Sequence, residues 1–170
     1  CVGYSIPVTE TSTGGSWSSS VTAVGTIDAV SGTFTGLSAG TTSVCYTLAA
    51  TGCQICETVT VDATPGPISA VTTHVCVGDT IYLTAAPPFG TWSSSDPSRE
   101  TILGVGSDTG LVVGIIGGPI PVIDTYRVGQ CYATISVTVN PDPTPISGPG
   151  ALCQGDTATY MDGVAGGIWS

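Results

Sequence analysis

The sequence predicts an all-β chain of tandem sandwich domains, and three observations carry that prediction. Gly and Pro take 36 of the 170 positions and Ser and Thr another 45, while 41% of residues are apolar and 8% charged. Short strands rich in Val, Thr and Ile, punctuated by turns, have this composition, whereas a disordered acidic tail is far less apolar. The second observation is self-similarity. Cys1-Val2-Gly3, Cys76-Val77-Gly78 and Cys153-Gln154-Gly155 are versions of one tripeptide, each followed at the same constant spacing by tryptophan, at Trp17, Trp92 and Trp169. The third is spacing, with turn residues separating runs of strand length about every 8–12 positions.

The repeat runs from Cys1 to Cys76 and, slightly longer, from Cys76 to Cys153. Gly-Ser-Trp-Ser-Ser-Ser (15–20) returns as Gly-Thr-Trp-Ser-Ser-Ser (90–95) and as Gly-Ile-Trp-Ser (167–170). Its close also recurs, as Val59-Thr60-Val61 with Val137-Thr138-Val139 and Pro67-Ile68-Ser69 with Pro145-Ile146-Ser147. These matches divide the chain into a first repeat (1–63) lacking its first strand, a complete second repeat (64–140), and the opening of a third (141–170). In the second repeat, strand A is placed near Ile68–Thr73, B near Thr80–Ala86 and C near Gly90–Ser94. D follows near Thr101–Val105, E near Leu111–Ile116, F near Val122–Val128 and G near Cys131–Val139. Strand G alternates clearly, with Tyr132, Thr134, Ser136 and Thr138 on one face and Ala133, Ile135, Val137 and Val139 on the other. About seven strands per repeat predict an immunoglobulin-like sandwich, with Trp17, Trp92 and Trp169 in its core on strand C. The Pro-rich linkers 64–67 and 141–145 predict semi-rigid, extended junctions in a longer array.

Charge and composition exclude several functions. Twelve acidic residues face two arginines, Arg99 and Arg127, and no lysine, a net charge of −10. Such a surface cannot neutralise phosphates, which excludes nucleic acid and anionic lipid as partners. The most apolar run, 102–123, is broken by six glycines and two prolines and is no membrane span. His74 is the only histidine, and it sits at a strand end with no nucleophile assembled around it. No carboxylate pair is singled out for glycoside hydrolysis. No catalytic, metal or cofactor site is therefore expected. Asp62, Asp79, Asp142 and Asp156 near the junctions are scattered singly, as turn residues rather than as a calcium loop.

Seven cysteines point to an oxidising compartment and structural disulfides. Cys45 and Cys56 occur only in the first repeat, where the second has Thr125 and Thr134. Their numbers place them opposite each other on a strand F–G hairpin, within disulfide reach. Cys53-Gln54-Ile55-Cys56 superficially matches a redox or zinc motif, but residues three apart on a strand point to opposite faces. Cys1, Cys76 and Cys153 precede strand B, and Cys53 and Cys131 open strand G, at opposite ends of a sandwich. Two pairings stay open: bonds between domains or subunits, such as Cys1 to Cys131, or one bond per domain, Cys1–Cys53 and Cys76–Cys131.

The succession Cys-x-Gly-Asp-Thr, Gly-x-Trp-Ser-Ser-Ser, Thr-Gly-Leu-Val-x-Gly, Gly-Cys and Val-Thr-Val-Asn-Pro resembles tandem bacterial Ig-like (group 2) and PKD-like repeats. Those occur in large secreted surface proteins of gliding Gram-negative bacteria. The chain departs from that pattern at Arg99-Glu100, which interrupts the usual apolar start of strand D. The resemblance implies an extracellular filament, stalk or adhesin, with neighbouring domains or subunits as its main partners and surface glycans as a further target. It also implies O-glycan acceptors at Thr80 and Thr157, in Asp-Thr-aliphatic contexts. A carbohydrate- or protein-binding module is the rival expectation. The main divergence is the stretch Asp96–Ser107, read as a loop insertion carrying Arg99 that is either a contact surface between chains or a tolerated loop.

Overall fold

The computed structural model describes residues 1–164 and 167–170. It is all-β, with fourteen strands and no helix among the described residues. Six strands come first: β1 (Ser5–Pro7), β2 (Gly15–Ser19), β3 (Gly25–Ile27), β4 (Thr33–Gly36), β5 (Gly40–Leu48) and β6 (Gln54–Val61). They form two sheets, ordered β1-β4-β3 and β2-β5-β6. Phe34, Val44 and Val61 are buried between these sheets, with Trp17, Val24, Ile27 and Val59 packed against them.

The second set is β7 (Ser69–Ala70), β8 (His74–Cys76), β9 (Thr80–Thr84), β10 (Thr91–Ser94), β11 (Glu100–Gly104), β12 (Thr109–Gly114), β13 (Val122–Val128) and β14 (Cys131–Asn140). Its sheets are ordered β11-β12-β9-β7 and β10-β13-β14-β8. Leu83 and Val112 from one sheet meet Val75, Val137 and Val139 from the other. Two face-to-face sheets with this strand order are an immunoglobulin-like sandwich. The alternation along β14 puts Val137 and Val139 in the core and Tyr132, Thr134 and Ser136 outside.

Of the strand expected over Ile68–Thr73 only β7 forms, and the chain then continues into β8 in the other sheet. β7 pairs antiparallel with β9, and β8 runs parallel to β14 through His74↔Thr138, Val75↔Val139 and Cys76↔Asn140. Each piece covers an edge that would otherwise present unpaired backbone groups, so one short segment caps both sheets. The second repeat consequently has eight strands rather than about seven.

The extra length of the second repeat overlaps the later part of the Asp96–Ser107 stretch and runs on past it. Gly36 follows its partner Gly25 by 11 positions, and Gly114 follows Glu100 by 14. The additional residues lengthen the β11–β12 hairpin. Residues 96–99 are a compact turn closed by Asp96, whose carboxylate accepts from the Ser98 amide and hydroxyl.

Both Gly-x-Trp motifs have the same cause. Trp17 lies against Tyr46 with ring centroids 4.8 Å apart, and Trp92 against Tyr126 at 4.7 Å. The Tyr46 hydroxyl accepts from Gly15 N–H and donates to Ser12 O, while the Tyr126 hydroxyl accepts from Gly90 N–H and donates to Pro87 O. Glycine is required because a Cβ at residue 15 or 90 would fall 2.6 or 2.3 Å from the tyrosine ring. Replacing Tyr126 by Phe leaves the Gly90 amide unpaired beside a buried ring. Tyr126→Phe is expected to destabilise the second sandwich by about 1–3 kcal/mol in denaturant unfolding, and an unchanged midpoint would refute this assignment.

Trp169 departs from the core expectation. It is 59% exposed, and among the described residues of 141–170 no strand pairs with it as β5 and β13 pair with the other two. Within 141–170 the described ladder is one bridge, Ser147↔Met161.

Candidate functional site at the repeat junction

The two sandwiches meet where β6 ends and the β13–β14 turn begins. Val61 is buried as the last residue of β6, and Asp62 follows it into the linker. The Asp62 carbonyl accepts from Val2 N–H at 3.0 Å, tying the start of the chain to the linker. The Thr64 hydroxyl donates to the Val2 carbonyl at 2.8 Å. On the other side, the Asp62 carboxylate accepts from the Gln130 amide at 2.9 Å. Gly129, at φ 57°, lets the turn approach, since a Cβ there would lie 2.2 Å from the Asp62 carboxyl carbon. A covalent bond completes the junction: Cys1 is disulfide-bonded to Cys131, with Cα atoms 5.7 Å apart and a sequence separation of 130.

Cys45 and Cys56 face each other across β5 and β6 and form the second disulfide, with Cα atoms 4.1 Å apart. The corresponding register in the second sandwich pairs Thr125 with Thr134. Cys53, Cys76 and Cys153 are free thiols, Cys53 and Cys153 exposed and Cys76 partly so. Cys76 pairs with Asn140 at the end of β14. It thus occupies, beside the second linker, the place that Cys1 and Val2 hold beside Asp62.

The remaining sequence-derived residues are dispersed. Thr80 opens β9 and is exposed, as is Thr157. His74 is an exposed residue of β8. Asp62 is engaged as an acceptor for the Gln130 amide, and no three His, Cys, Asp or Glu side chains converge among the described residues. Arg99 is no free contact group: its guanidinium donates to the Ile120 carbonyl, and its own carbonyl accepts from the Ile115 and Ile116 amides. Arg127 stacks over the Tyr132 ring at 5.2 Å.

One feature escapes a reading of the sequence. Glu100 and Asp124 are both 0% exposed between the sheets of the second sandwich. None of their four carboxyl oxygens has a hydrogen-bond partner, and burial together with the neighbouring carboxyl pushes Glu100 up to about 8; burial pushes Asp124 up to about 6. The signal was present in β13, where Asp124 stands between the inward-facing Val122 and Tyr126. Sealed from solvent, the pair is out of reach of a glycoside, so it is part of the core rather than a catalytic dyad.

No family model matches the chain, and no curated protein matches it. Among solved structures it is similar to domains 4 and 5 of the S-layer protein SbsC, at 21% identity and a TM-score of 0.34, over 75% of this chain and 71% of that one. A C-terminal fragment of intimin, in complex with the intimin-binding domain of the translocated intimin receptor, is 16% identical with a TM-score of 0.48, over 85% of this chain. The I9–I11 tandem of titin is 11% identical with a TM-score of 0.31, over 81% of this chain. The chain spans 59% of each of the last two fragments. Likenesses this distant carry no activity over to this chain.

Proposed function

We propose that this chain is a segment of an extracellular structural array, a surface filament, stalk or adhesin fibre whose tandem sandwiches are reinforced by disulfides. The observation that carries this reading is the Cys1–Cys131 bond, which joins one repeat to the next rather than closing a single domain. Cys76 sits at the equivalent place beside the following linker, available to the G-strand cysteine of a third repeat. Cys53, at the free end of the β5–β6 hairpin, is available in the same way to a preceding repeat or a second copy of the chain. Disulfides of this kind belong to an oxidising, extracytoplasmic setting. Arg99 is engaged within the second sandwich through Ile120, Arg127 lies over Tyr132, and the buried acid pair is closed to substrate. What remains is a mechanical role, in which each sandwich buries its own core and the junctions set the pitch.

A second reading is favoured by one observation. The outer face of the β11-β12-β9 sheet presents the row Leu103, Leu111 and Tyr82, exposed at both ends, where the first sandwich has only Thr33 and Pro7 beside the middle position. An aromatic–aliphatic row of this kind suits a carbohydrate or protein ligand. Negative-stain electron microscopy of the native extracellular material, with and without reductant, separates the two readings. The array predicts uniform filaments with a period of one or two sandwiches that fray under reductant. Isolated flexible beads in both conditions would overturn it and favour the binding module.

A further inference from the structure

We propose that the Cys1–Cys131 bond diverts tension around the sandwiches, so that the array stays inextensible even where a domain unfolds. The proposal rests on the reading of the chain as a load-bearing array, and its geometry is that of the second sandwich. β14 runs from Cys131, at the end facing the first sandwich, to Asn140, which leads into the next linker. Force entering at Cys1 crosses the disulfide to Cys131, passes along β14 and leaves at Asn140. The whole stretch of chain between Cys1 and Cys131 is outside that path.

Without the bond, force reaches the second sandwich from its own N-terminal side. It then enters through β7 and β8 and leaves through β14. The parallel β8–β14 ladder is loaded in shear, and only three residue pairs hold it. With the bond, both points of force lie on β14 itself. That strand is already extended, at about 3.3 Å per residue, so pulling its two ends lengthens it very little.

Repetition extends the device. Cys76 lies beside Asn140, and Cys153 falls at the same repeat position as Cys1 and Cys76. If these thiols bond to the G-strand cysteines of later repeats, the bonded loops overlap. The shortest covalent route over two repeats is then the backbone from Cys131 to Cys153 plus one disulfide. At full extension that backbone spans about 80 Å. Two folded sandwiches built on strands of about 33 Å, with their linkers, are of similar length. The route holds almost no slack, and unfolding a core releases no length into it.

Single-molecule pulling tests this on the chain itself, with handles attached through the backbone ahead of Cys1 and behind Ser170. The oxidised protein is expected to stop at about 140 Å of contour, the segment from Cys131 to Ser170, and to reach about 600 Å in reductant. Cys1→Ala, which keeps the Cys45–Cys56 loop, is expected to reach about 570 Å while still oxidised. An oxidised wild-type chain that extends past about 500 Å would overturn the proposal. The array reading fails on a different readout: single beads in native micrographs, with the oxidised chain still stopping short in the pulling experiment.

Discussion

Raising the pH from 5 to 9 is expected to destabilise the second sandwich and to leave the first nearly unaffected. The cause is the pair Glu100 and Asp124, both fully buried and raised to about 8 and about 6. Two carboxylates cannot both be charged at 0% exposure with no hydrogen-bond donor on them. The groups facing the pair are few. Arg99 precedes Glu100 in the chain and lowers its pKa less than burial and Asp124 raise it, and Asp96 adds a further raising charge. The folded state therefore holds protons that the unfolded chain gives up in the usual carboxylate range.

Because the folded values lie above the unfolded ones, the pair's contribution is complete below about pH 4. It is lost as pH rises through about 6 and then about 8. The loss should amount to about 2–4 kcal/mol, less than the shifts taken separately, since the two groups titrate as one unit. The first sandwich is an internal control, having Gly25 and Val44 at the matching positions of its ladders. Asp28 is exposed and Glu10, Asp96 and Asp162 are half-buried, and all four are held low chiefly by hydrogen bonds from neighbouring amides and hydroxyls. Whatever they contribute is lost only as pH falls below the usual carboxylate range, in a separate window. Denaturant unfolding across pH 5–9 measures the effect, and the double substitution Glu100→Gln and Asp124→Asn should flatten it. A second sandwich whose stability is level from pH 5 to 9 would show that the pair is not protonated in the fold.

Removing the junction disulfide should cost more stability than removing the hairpin disulfide. On the chain-entropy argument, the loop closed by Cys1 and Cys131, 130 residues apart, stabilises by about 5 kcal/mol. The loop closed by Cys45 and Cys56, 11 residues apart, stabilises by about 3 kcal/mol. The difference has a structural counterpart. When the first sandwich unfolds alone, the bonded chain remains held at both ends, through Asp62 on one side and Cys131 on the other. Cys1→Ala releases one end and leaves the Asp62 hydrogen bonds to Val2 and Gln130 as the remaining hold. The expected result is a first sandwich that unfolds at lower denaturant. The comparison variant replaces Cys45 and Cys56 by Thr, the pair that the second sandwich carries in Thr125 and Thr134. If Cys1→Ala shifts stability less than that double substitution does, the junction is held by its polar contacts rather than by the bond.

Local, periodic features were legible in the chain before any contact was known. The strands of the second repeat follow from alternation and turn chemistry, each a property of a few neighbouring residues. The inward face of β14 is readable from Val137 and Val139 alone. Features that depend on which distant segments meet were beyond such a reading. The segment after Pro67 divides between two sheets because both have an edge to cover, a condition that exists only once the sheets do. Tyr46 and Tyr126 were not read as the partners of the tryptophans, because the ring and the Gly-x-Trp motif meet only when β5 and β13 pair with β2 and β10. Glu100 read as an interruption of a strand, and only the sandwich places it against Asp124. The sequence alone allows two partners for Cys1, since the choice turns on how one sandwich sits on the next. Short-range periodicity is written in neighbouring residues, while a contact between Cys1 and a turn 130 residues away is decided by packing.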